Sequence, residues 1–470
     1  INFPIQVTKK IPKIAIFGAG ESGALLASAI KVSKNYQVEF FIDDAPHLWG
    51  RNINNIKIYS RDYLKKGFRK IDKLILSIPS LDKVRRRRIF KYLKSFDIEV
   101  LQSPSIEALT RGQENIDNLK PIKIEDLLGR EPVEPYKKLL GPGIASKVVL
   151  VTGAGGSIGS ELCKTIIKLK PKLLILIEQN EFNLYKLEKE LLKDSSYENN
   201  LLAILGSCLD RELVKNIFVN YKVDTIFHSA AYKHVPLVEE NPLAGIRNNV
   251  FSTKILCEMM KTHNAKNFVL ISTDKAVRPT SVMGASKRLS ELIVQAYAQE
   301  ASKETNNKKK FSCVRFGNVL GSSGSVVPLF EEQILSGGPI TLTHPDIIRY
   351  FMSIKEAAQL VIQSSVLAEG GDVFILDMGQ PVKIKDLAEQ MINLSGLQIK
   401  NKDNPNGDIE IKSTGLRKGE KLFEELLIDD KALKTSHSLI FKANEKFIQP
   451  EILWQKLSLL KNSLEIRDIE

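Results

Sequence analysis

The stretch KVVLVTGAGGSIGSELCKTII, residues 147–167, decides the fold of this chain. A β-branched apolar run leads into a glycine turn, and an amphipathic helical pattern follows it. Gly153, Gly156 and Gly159 are spaced so that backbone can approach a pyrophosphate at the N-terminus of a helix. The next predicted strand ends at Glu178, whose carboxylate would accept both adenosine ribose hydroxyls and repel a 2′-phosphate. The pattern predicts a Rossmann-like unit that binds NAD rather than NADP.

A second stretch near the start of the chain begins in the same way. KIAIFGAGESGALLASAI, residues 13–30, places Gly18, Gly20 and Gly23 in a dinucleotide-type turn. The following predicted strand, VEFFIDD, ends in Asp43–Asp44. The sequence therefore predicts two Rossmann-like units in tandem, and it leaves open whether the first holds a small ligand or binds nothing.

The order of the predicted elements indicates an α/β fold with doubly wound parallel sheets. Four further strand patterns separated by helical stretches follow the second glycine turn: LLAILGS (201–207), VDTIFHSAA (223–231), KNFVLIST (266–273) and FSCVRFGNVL (311–320). We predict an N-terminal Rossmann-like domain (1–122), a linker rich in proline and glycine (123–146), an NAD-binding core (147–320) and a smaller C-terminal α/β substrate-binding subdomain (321–470).

Composition narrows the classes of function. The chain has 470 residues and a net charge of +13, with 43% hydrophobic and 26% charged residues, as in a soluble globular protein. The basic clusters are short and lack interleaved aromatic residues, so we expect solvated faces and no nucleic-acid partner. The four cysteines are far apart and show no CxxC spacing, so we expect buried thiols and no metal.

The segment STDKAVRPTSVMGASKR, residues 272–288, raises a question about catalysis. Its end has the spacing of a Tyr-x-x-x-Lys catalytic pair, but Met283 occupies the tyrosine position. A thioether takes no part in ordinary acid–base catalysis. Lys287 follows one helical turn later on the same face.

These motifs carry a resemblance to a known family. Residues 146–430 resemble the extended short-chain dehydrogenase/reductases that act on nucleotide sugars, and among them the bacterial UDP-N-acetylglucosamine 4,6-dehydratases of polysaccharide and glycan synthesis. The motifs are TGAGGSIGSELC, HSAAYKHVPLVEENP, ISTDKAVRPTSVMGASKR, RFGNVLGSSGSVVPLF and TGLRKGEKLFEELL. The resemblance implies a tightly held, recycled NAD and conversion of UDP-N-acetylglucosamine to a 4-keto-6-deoxy sugar.

The two-unit layout is similar to that of the longer, membrane-anchored members of the family. Some of these feed the synthesis of diamino-trideoxy sugars such as bacillosamine, used in protein glycosylation. The chain begins with Ile1 rather than Met, so we expect an upstream anchor that holds the full-length protein at the cytoplasmic face of the bacterial inner membrane. We also expect a homo-oligomer.

The resemblance also implies roles for individual residues. For the cofactor it implies Gly153, Gly156, Ser157, Ile158, Gly159, Glu178, Ala230 and Lys287, with either Ser207 or Asp210 near the adenine. For the substrate it implies Lys233, His234, Asn318, Val326, Arg349, Arg417 and Glu420. Lys418 replaces the usual proline of Arg-Pro-Gly-Glu, which would loosen the turn but keep the charged pair.

The catalytic residues implied are Thr273, Asp274 and Lys275, together with Lys287 and Met283. Thr273 would hold the C4 hydroxyl, and Asp274 would take its proton and later deliver it to the departing C6 hydroxyl. Lys275 would remove the C5 proton, which requires a depressed pKa; we expect Lys287 and the nicotinamide charge to lower it.

Alternatives to a dehydratase that retains configuration at C5 stay open at this point. A C5-inverting dehydratase and a UDP-sugar C4 epimerase use related sites, although an epimerase normally shuttles its proton through the tyrosine that Met283 replaces. A non-catalytic NAD-binding regulator is the third interpretation. The polar groups from Thr273 to Lys275 argue against it.

Overall fold

A computed structural model of the chain describes residues 11–33, 35–67, 70–77, 89, 92–93, 96, 98–102, 120–121, 134–303, 309–395, 397–425, 432–445 and 447–469. The chain divides into two compact units. The first comprises Ile1–Glu131, Leu329–Leu342 and Lys385–Ser413, and the second comprises Pro132–Pro328, Thr343–Ile384 and Thr414–Glu470.

The N-terminal part of the first unit is a seven-stranded sheet with the order β3-β4-β2-β1-β5-β6-β7. Its strands are β1 (Lys13–Phe17), β2 (Gln37–Ile42), β3 (Asn52–Ile53), β4 (Ile56–Tyr59), β5 (Lys73–Leu76), β6 (Glu99–Gln102) and β7 (Lys120–Pro121), and its described helices are α1 (Glu21–Ser33) and α2 (Leu64–Gly67). Strands β2, β1, β5 and β6 run parallel. Strand order reverses on either side of β1, which makes the end of β1 a topological switch point.

Apolar residues cover both faces of this sheet. Ile14, Ile16 and Ile75 pack with Leu26 and Ile30 of α1 on one face. On the other face the cluster contains Ala15, Phe17, Phe40, Ile42, Leu74 and Leu76. This alternation follows from the period of two along each strand.

The remaining strands are β8 (Val148–Thr152), β9 (Leu173–Glu178), β10 (Leu201–Leu205), β11 (Thr225–His228), β12 (Asn267–Ile271), β13 (Lys310–Arg315), β14 (Asn318–Val319), β15 (Ile340–Leu342), β16 (Ile348–Arg349), β17 (Phe351–Met352), β18 (Asp372–Leu376), β19 (Val382–Lys383), β20 (Ile399–Lys400), β21 (Ile409–Ser413), β22 (Ala432–Lys434) and β23 (Ile440–Ala443). In the first unit, β15, β21 and β20 form a parallel three-stranded sheet.

The second unit is built on a nine-stranded sheet with the order β10-β9-β8-β11-β12-β13-β18-β23-β22. The strands from β10 through β18, taken in this spatial order, run parallel to one another. Strands β23 and β22 are antiparallel additions at one edge. The predicted doubly wound parallel α/β fold is therefore confirmed. The sheet continues past residue 320 through β18, β23 and β22, which the sequence patterns did not predict. The predicted domain boundaries stay predictions.

The further helices are α3 (Lys137–Leu140), α4 (Ser157–Lys168), α5 (Glu181–Leu191), α6 (Arg211–Tyr221), α7 (Val235–Glu240), α8 (Pro242–Ile246), α9 (Ser252–Thr262), α10 (Val282–Ser302), α11 (Val326–Leu335), α12 (Ile354–Leu367), α13 (Ile384–Leu394) and α14 (Pro450–Glu465). Helices α6, α9, α10 and α14 contribute to the core on one face of the nine-stranded sheet, and α4, α5 and α12 contribute on the other. All four cysteines are buried and free, as predicted. Within the described ranges, no helix is both long and apolar enough to cross a membrane.

Candidate active site

The glycine turn of the second unit lies at the carboxyl end of β8, where the strand order reverses. Gly153 has φ +63°, and a Cβ there would lie 2.6 Å from the backbone nitrogen of Ala230. A Cβ at Gly159 would lie 2.1 Å from the carbonyl oxygen of Gly153. Both positions therefore require glycine, and Gly156 is the N-cap of α4. The turn presents the N-terminus of a twelve-residue helix, as an anion such as a pyrophosphate requires.

Glu178 ends β9 beside this turn and is 9% exposed. Its Oε2 accepts the N–H of Gly155 at 2.9 Å, and its Oε1 accepts the N–H of Asn180 at 2.9 Å. These bonds fix the carboxylate, and each oxygen keeps further acceptor capacity for a ribose hydroxyl. The arrangement fits an adenosine ribose without a 2′-phosphate.

The other residues predicted for the cofactor have local structural partners. Ser157 Oγ accepts the N–H of Ser323 at 3.2 Å, while Ile158 packs against the core. Ser207 Oγ accepts the N–H of Leu209, and Asp210 caps α6 through the N–H of Leu213. Neither of these last contacts identifies which residue would meet adenine.

A short 3₁₀ turn after β12 carries the three predicted catalytic residues. Thr273 Oγ1 donates to Asp274 Oδ1 at 2.8 Å, and Lys275 Nζ lies 3.1 Å from the same oxygen. Gly284 of α10 packs so closely on this turn that a Cβ would lie 2.3 Å from the carbonyl oxygen of Lys275. The turn is therefore held against the start of α10.

A buried ionic network holds the strand that leads into this turn. Ser272 Oγ donates to Glu291 Oε1 at 2.6 Å. Glu291 accepts two bonds from Arg315, at 2.7 and 2.6 Å, and Arg315 also binds Glu445 at 2.7 Å. The side chains of Glu291 and Arg315 are fully buried. The network fixes the position of the neighbouring Thr273.

Glu424 is the one residue at the centre of the site that the sequence analysis missed. Its Oε1 lies 2.7 Å from Lys275 Nζ and 3.0 Å from Arg349 Nε, and its Oε2 accepts from the Asn318 amide at 3.2 Å. Only 2% of its side chain is exposed. The signal in the sequence is weak, because KLFEELL has the pattern of an amphipathic helix with a solvated glutamate. Residues 421–425 of this segment form no helix.

The two carboxyl groups of this cluster have opposite pKa shifts. Burial, together with the charge of Asp274, raises the pKa of Glu424 to about 7, although Lys275 and Arg349 partly offset this. Burial also opposes ionisation of Asp274, but the charge of Lys275, together with the hydrogen bond from Thr273, outweighs it and lowers the pKa of Asp274. Asp274 is thus the more acidic of the pair, and Glu424 is the group that gains and loses a proton near neutral pH.

The expected depression of the Lys275 pKa is wrong for this structure. Burial of the ammonium group favours the neutral amine, but the charges of Asp274 and Glu424 outweigh it and raise the pKa of Lys275. The prediction failed because it considered only Lys287 and the nicotinamide as neighbours. A neutral Lys275 therefore requires a nearby group that accepts its proton.

Met283 and Lys287 lie one turn apart on α10, and both are buried. Met283 is 2% exposed, and no proton-bearing group replaces the tyrosine at its position. Burial lowers the pKa of Lys287 to about 8, with Glu291 acting in the opposite direction.

The predicted residues of the sugar pocket are partly brought together. Burial and the charge of Lys275 lower the pKa of Lys233, which places its ammonium group within the field of the catalytic turn. A Cβ at Gly324, which has φ +68°, would lie 2.5 Å from the His234 ring. The GSSGS loop therefore packs against His234. Val326 is the first residue of α11.

The expected charged pair of Arg417 and Glu420 is not the one that forms. Arg417 is exposed, and it is its backbone N–H that donates to Glu420 Oε2 at 3.2 Å. Glu420 Oε1 instead lies 3.6 Å from Arg349 Nη2 and accepts from Thr343. The turn with Lys418 is closed by the N–H of Glu420 on the carbonyl of Arg417 at 3.0 Å. Proline is thus unnecessary for closure of this turn.

Within the described residues no group of histidine, cysteine and carboxylate side chains could hold a metal ion.

Comparison with known proteins adds three findings. The capsular polysaccharide biosynthesis protein CapD of Staphylococcus aureus is 42% identical over 419 residues, which are 88% of this chain and 68% of CapD. A UDP-N-acetylglucosamine 4,6-dehydratase (inverting) of Campylobacter jejuni is 29% identical over 60% of this chain and 78% of that protein. The crystal structure of DesIV, a dTDP-glucose 4,6-dehydratase from Streptomyces venezuelae with NAD and TYD bound, matches with a TM-score of 0.51 and 20% identity, covering 59% of this chain and 88% of DesIV.

The similarity to the DesIV structure supports the fold alone. The family follows from the CapD relationship and from a family model described as polysaccharide biosynthesis protein, which matches residues 149–445. These findings confirm the family that the sequence motifs predicted. The chain belongs to the polysaccharide biosynthesis protein family.

Proposed function

We propose that the chain is a nucleotide-sugar 4,6-dehydratase that converts UDP-N-acetylglucosamine to UDP-2-acetamido-2,6-dideoxy-4-keto-hexose. The observation that carries the proposal is the buried cluster of Asp274, Lys275 and Glu424 at the carboxyl end of the parallel sheet. A 4,6-dehydration needs one group to manage the proton that leaves O4 and arrives at O6, and a separate base for C5–H. This cluster contains a carboxylate for the first task and a lysine with its own proton acceptor for the second.

NAD fits the second unit through the glycine turn, the N-terminus of α4 and Glu178. Lys287, a buried residue of α10, would hydrogen-bond the nicotinamide ribose. When bound, NAD supplies the hydride acceptor for C4 and the hydride donor for C6. No net oxidation occurs, so the cofactor would stay bound between turnovers.

The first proton transfer belongs to Asp274. Its lowered pKa keeps it ionised, and its Oδ2 is buried without a hydrogen-bond partner among the described residues. That free acceptor can take the C4 hydroxyl proton while Thr273 positions the hydroxyl. No proton has to pass through Met283, which fills space beside the sugar.

The second transfer needs a neutral Lys275. Glu424 Oε1 forms an ion pair with Lys275 Nζ at 2.7 Å, and its pKa of about 7 lets it hold the proton that Lys275 gives up. Protonation of Asp274 in the first step also removes a negative charge that favours the ammonium form. Lys275 can then remove the C5 proton, which the C4 ketone has made acidic.

The third proton transfer returns to Asp274. Now protonated, it delivers its proton to the C6 hydroxyl, which leaves as water. Once the hydride has returned to C6, the ammonium group of Lys275 would return a proton to C5, and Lys275 would then recover its own proton from Glu424. Arg349 and Asn318 hold Glu424 throughout. The exposed Arg417 side chain would bind a substrate phosphate. Lys233 and His234 would contact the sugar, Glu420 the ribose, and Val326 the uridine.

We further propose that configuration at C5 is retained. Support comes from the family resemblance, which implies that inverting dehydratases tend to keep the tyrosine that Met283 replaces and to lack the N-terminal Rossmann-like unit. The same methionine argues against a C4 epimerase, which would need a proton shuttle at that position. Attachment of a longer form to the cytoplasmic face of the inner membrane, and assembly into a homo-oligomer, remain proposals from the resemblance.

The test is to incubate the purified chain with UDP-N-acetylglucosamine and no added cofactor. Mass spectrometry should detect a nucleotide sugar that has lost one water. Absence of this product from wild-type protein that contains bound NAD would contradict the proposed function.

A further inference from the structure

The N-terminal unit has a glycine turn that is closed in the same way as that of the second unit. Gly18, which has φ +110°, follows β1 at the switch point of the seven-stranded sheet. A Cβ at Gly23 would lie 2.0 Å from the carbonyl oxygen of Gly18, which matches the 2.1 Å between Gly159 and Gly153. Both turns are thus closed by a glycine of the following helix against the first glycine of the turn.

A carboxylate is fixed beside each turn in the same way. Asp43 Oδ2 accepts the N–H of Ala19 at 2.7 Å, and Oδ1 accepts the N–H of Ala45 at 2.8 Å. Glu178 makes the equivalent pair of bonds in the second unit. In both units an acidic residue at the end of the second strand binds one amide of the glycine turn and one amide two residues further along the chain. Each carboxylate oxygen keeps further acceptor capacity.

A third group, on β5, points to a ligand. Ser77 follows β5, and its N–H donates to the carbonyl oxygen of Phe17 at 2.8 Å, so it is level with Gly18. Ser77 is 3% exposed, and its hydroxyl has no hydrogen-bond partner among the described residues. Ile75 packs on the face covered by α1, whereas Leu76 packs on the opposite face. The alternation of side chains along a strand therefore places the Ser77 hydroxyl on the α1 face, beside the glycine turn.

A buried hydroxyl without a hydrogen-bond partner lowers the free energy of unfolding. A ligand that accepts its hydrogen bond would remove this penalty. The space in front of the turn is open, because a Cβ at Gly20 would meet nothing within 4 Å. Glu21, the first residue of α1, is exposed, so water screens its charge.

We propose that the N-terminal unit is a second nucleotide site, which binds an adenosine diphosphate-type nucleotide with free ribose hydroxyls. The diphosphate lies on the amides of the Gly18–Gly23 turn, Asp43 accepts the ribose hydroxyls, and the Ser77 hydroxyl donates to a phosphate oxygen. The site is separate from the catalytic turn and its chemistry, so the proposal does not depend on the dehydratase reaction.

Equilibrium dialysis of the whole chain with radiolabelled ADP tests this site, with resident nucleotide counted after denaturation. Gly20→Leu places a side chain in the open space without straining the backbone, so it should fold normally and exclude the ligand. Ser77→Ala removes only an unpaired hydroxyl, so its melting temperature should equal or exceed that of wild type. Ser28→Ala is the matched control, because this serine hydroxyl already has partners: it donates to the carbonyl oxygen of Ala24 and accepts from the side-chain amide of Asn54.

Wild type and Ser28→Ala should bind about one adenine nucleotide per chain more than Gly20→Leu, and Ser77→Ala should bind ADP at least about tenfold more weakly at this site. NADP should compete less well than NAD, because Asp43 repels a 2′-phosphate. An equal nucleotide content in wild type and in folded Gly20→Leu and Ser77→Ala would overturn the proposal. If the second unit held no nucleotide, the total nucleotide bound per chain would fall equally in every variant. The difference between wild type and Gly20→Leu would stay the same. Failure of the proposed function can therefore be distinguished from failure of this site.

Discussion

Replacement of Glu424 by glutamine tests the proton acceptor proposed for Lys275. The substitution keeps the shape of the side chain and its bond to Asn318, but an amide cannot take the proton of a lysine 2.7 Å away. In the wild type, Glu424 must be ionised to accept that proton. Since its pKa is raised to about 7, kcat/KM should fall as pH falls through 7.

The magnitude follows from this titration. At pH 6 about a tenth of the molecules would carry an ionised Glu424, so kcat/KM should decrease about tenfold per pH unit below 7. In Glu424→Gln, kcat should fall by about 10²–10⁴-fold, the range for a lost acid–base group, which equals about 3–5 kcal/mol in the barrier. The decline that remains should move to lower pH, because Asp274 has a lowered pKa.

The assay is initial-rate formation of the 4-keto product from about pH 5 to 9, with bound nucleotide and melting temperature measured for each variant. Glu425→Gln is the matched control, because Glu425 is adjacent in sequence but pairs with Arg278 outside the buried cluster. It should keep the wild-type pH profile. A Glu424→Gln protein with near wild-type kcat and an unchanged decline near pH 7 would refute the reasoning.

Three further predictions concern the same unit. Asp274→Asn should reduce turnover by at least about 10²-fold, whereas Met283→Ala should leave C4 oxidation largely intact. C4 oxidation is followed by the absorbance of the reduced cofactor in single-turnover mixing. If Asp274→Asn oxidised C4 normally and Met283→Ala did not, Asp274 would be excluded as the C4 base. Arg417→Ala should raise KM for UDP-N-acetylglucosamine about tenfold with kcat near normal, because a phosphate contact is made equally in the ground and transition states, and a defect confined to kcat would contradict that role. Glu291→Ala should lower the free energy of unfolding by about 3–5 kcal/mol in denaturant titrations, since it leaves the fully buried Arg315 without half of its charge pairing, and a change below about 1 kcal/mol would show that the network does not hold the turn.

The fold could be predicted from sequence because its signals are local. The two glycine turns, their flanking apolar strands and the acidic residues at Asp43 and Glu178 are each contained in about thirty residues. The strands at 372–376, 432–434 and 440–443 could not be predicted in the same way. They join the sheet across long sequence separations, and nothing in their own residues specifies the neighbouring strand.

The active site was predictable only as far as its residues are adjacent in sequence. Thr273, Asp274 and Lys275 form one turn, so their proximity follows from the chain itself. Glu424 lies about 150 residues away, and only folding brings it to Lys275. The pKa shift of Lys275 was therefore predicted without the charge of Glu424, and the predicted direction of that shift was wrong.

The central claim is that this chain dehydrates UDP-N-acetylglucosamine with a cofactor it already holds and a base that reaches C5. Its most direct test is NMR of the purified chain with UDP-N-acetylglucosamine in deuterated water, without added cofactor. We predict a 4-keto-6-deoxy product with deuterium at C5 and with the configuration at C5 retained. Unchanged substrate, or a product that differs only in configuration at C4, would contradict it.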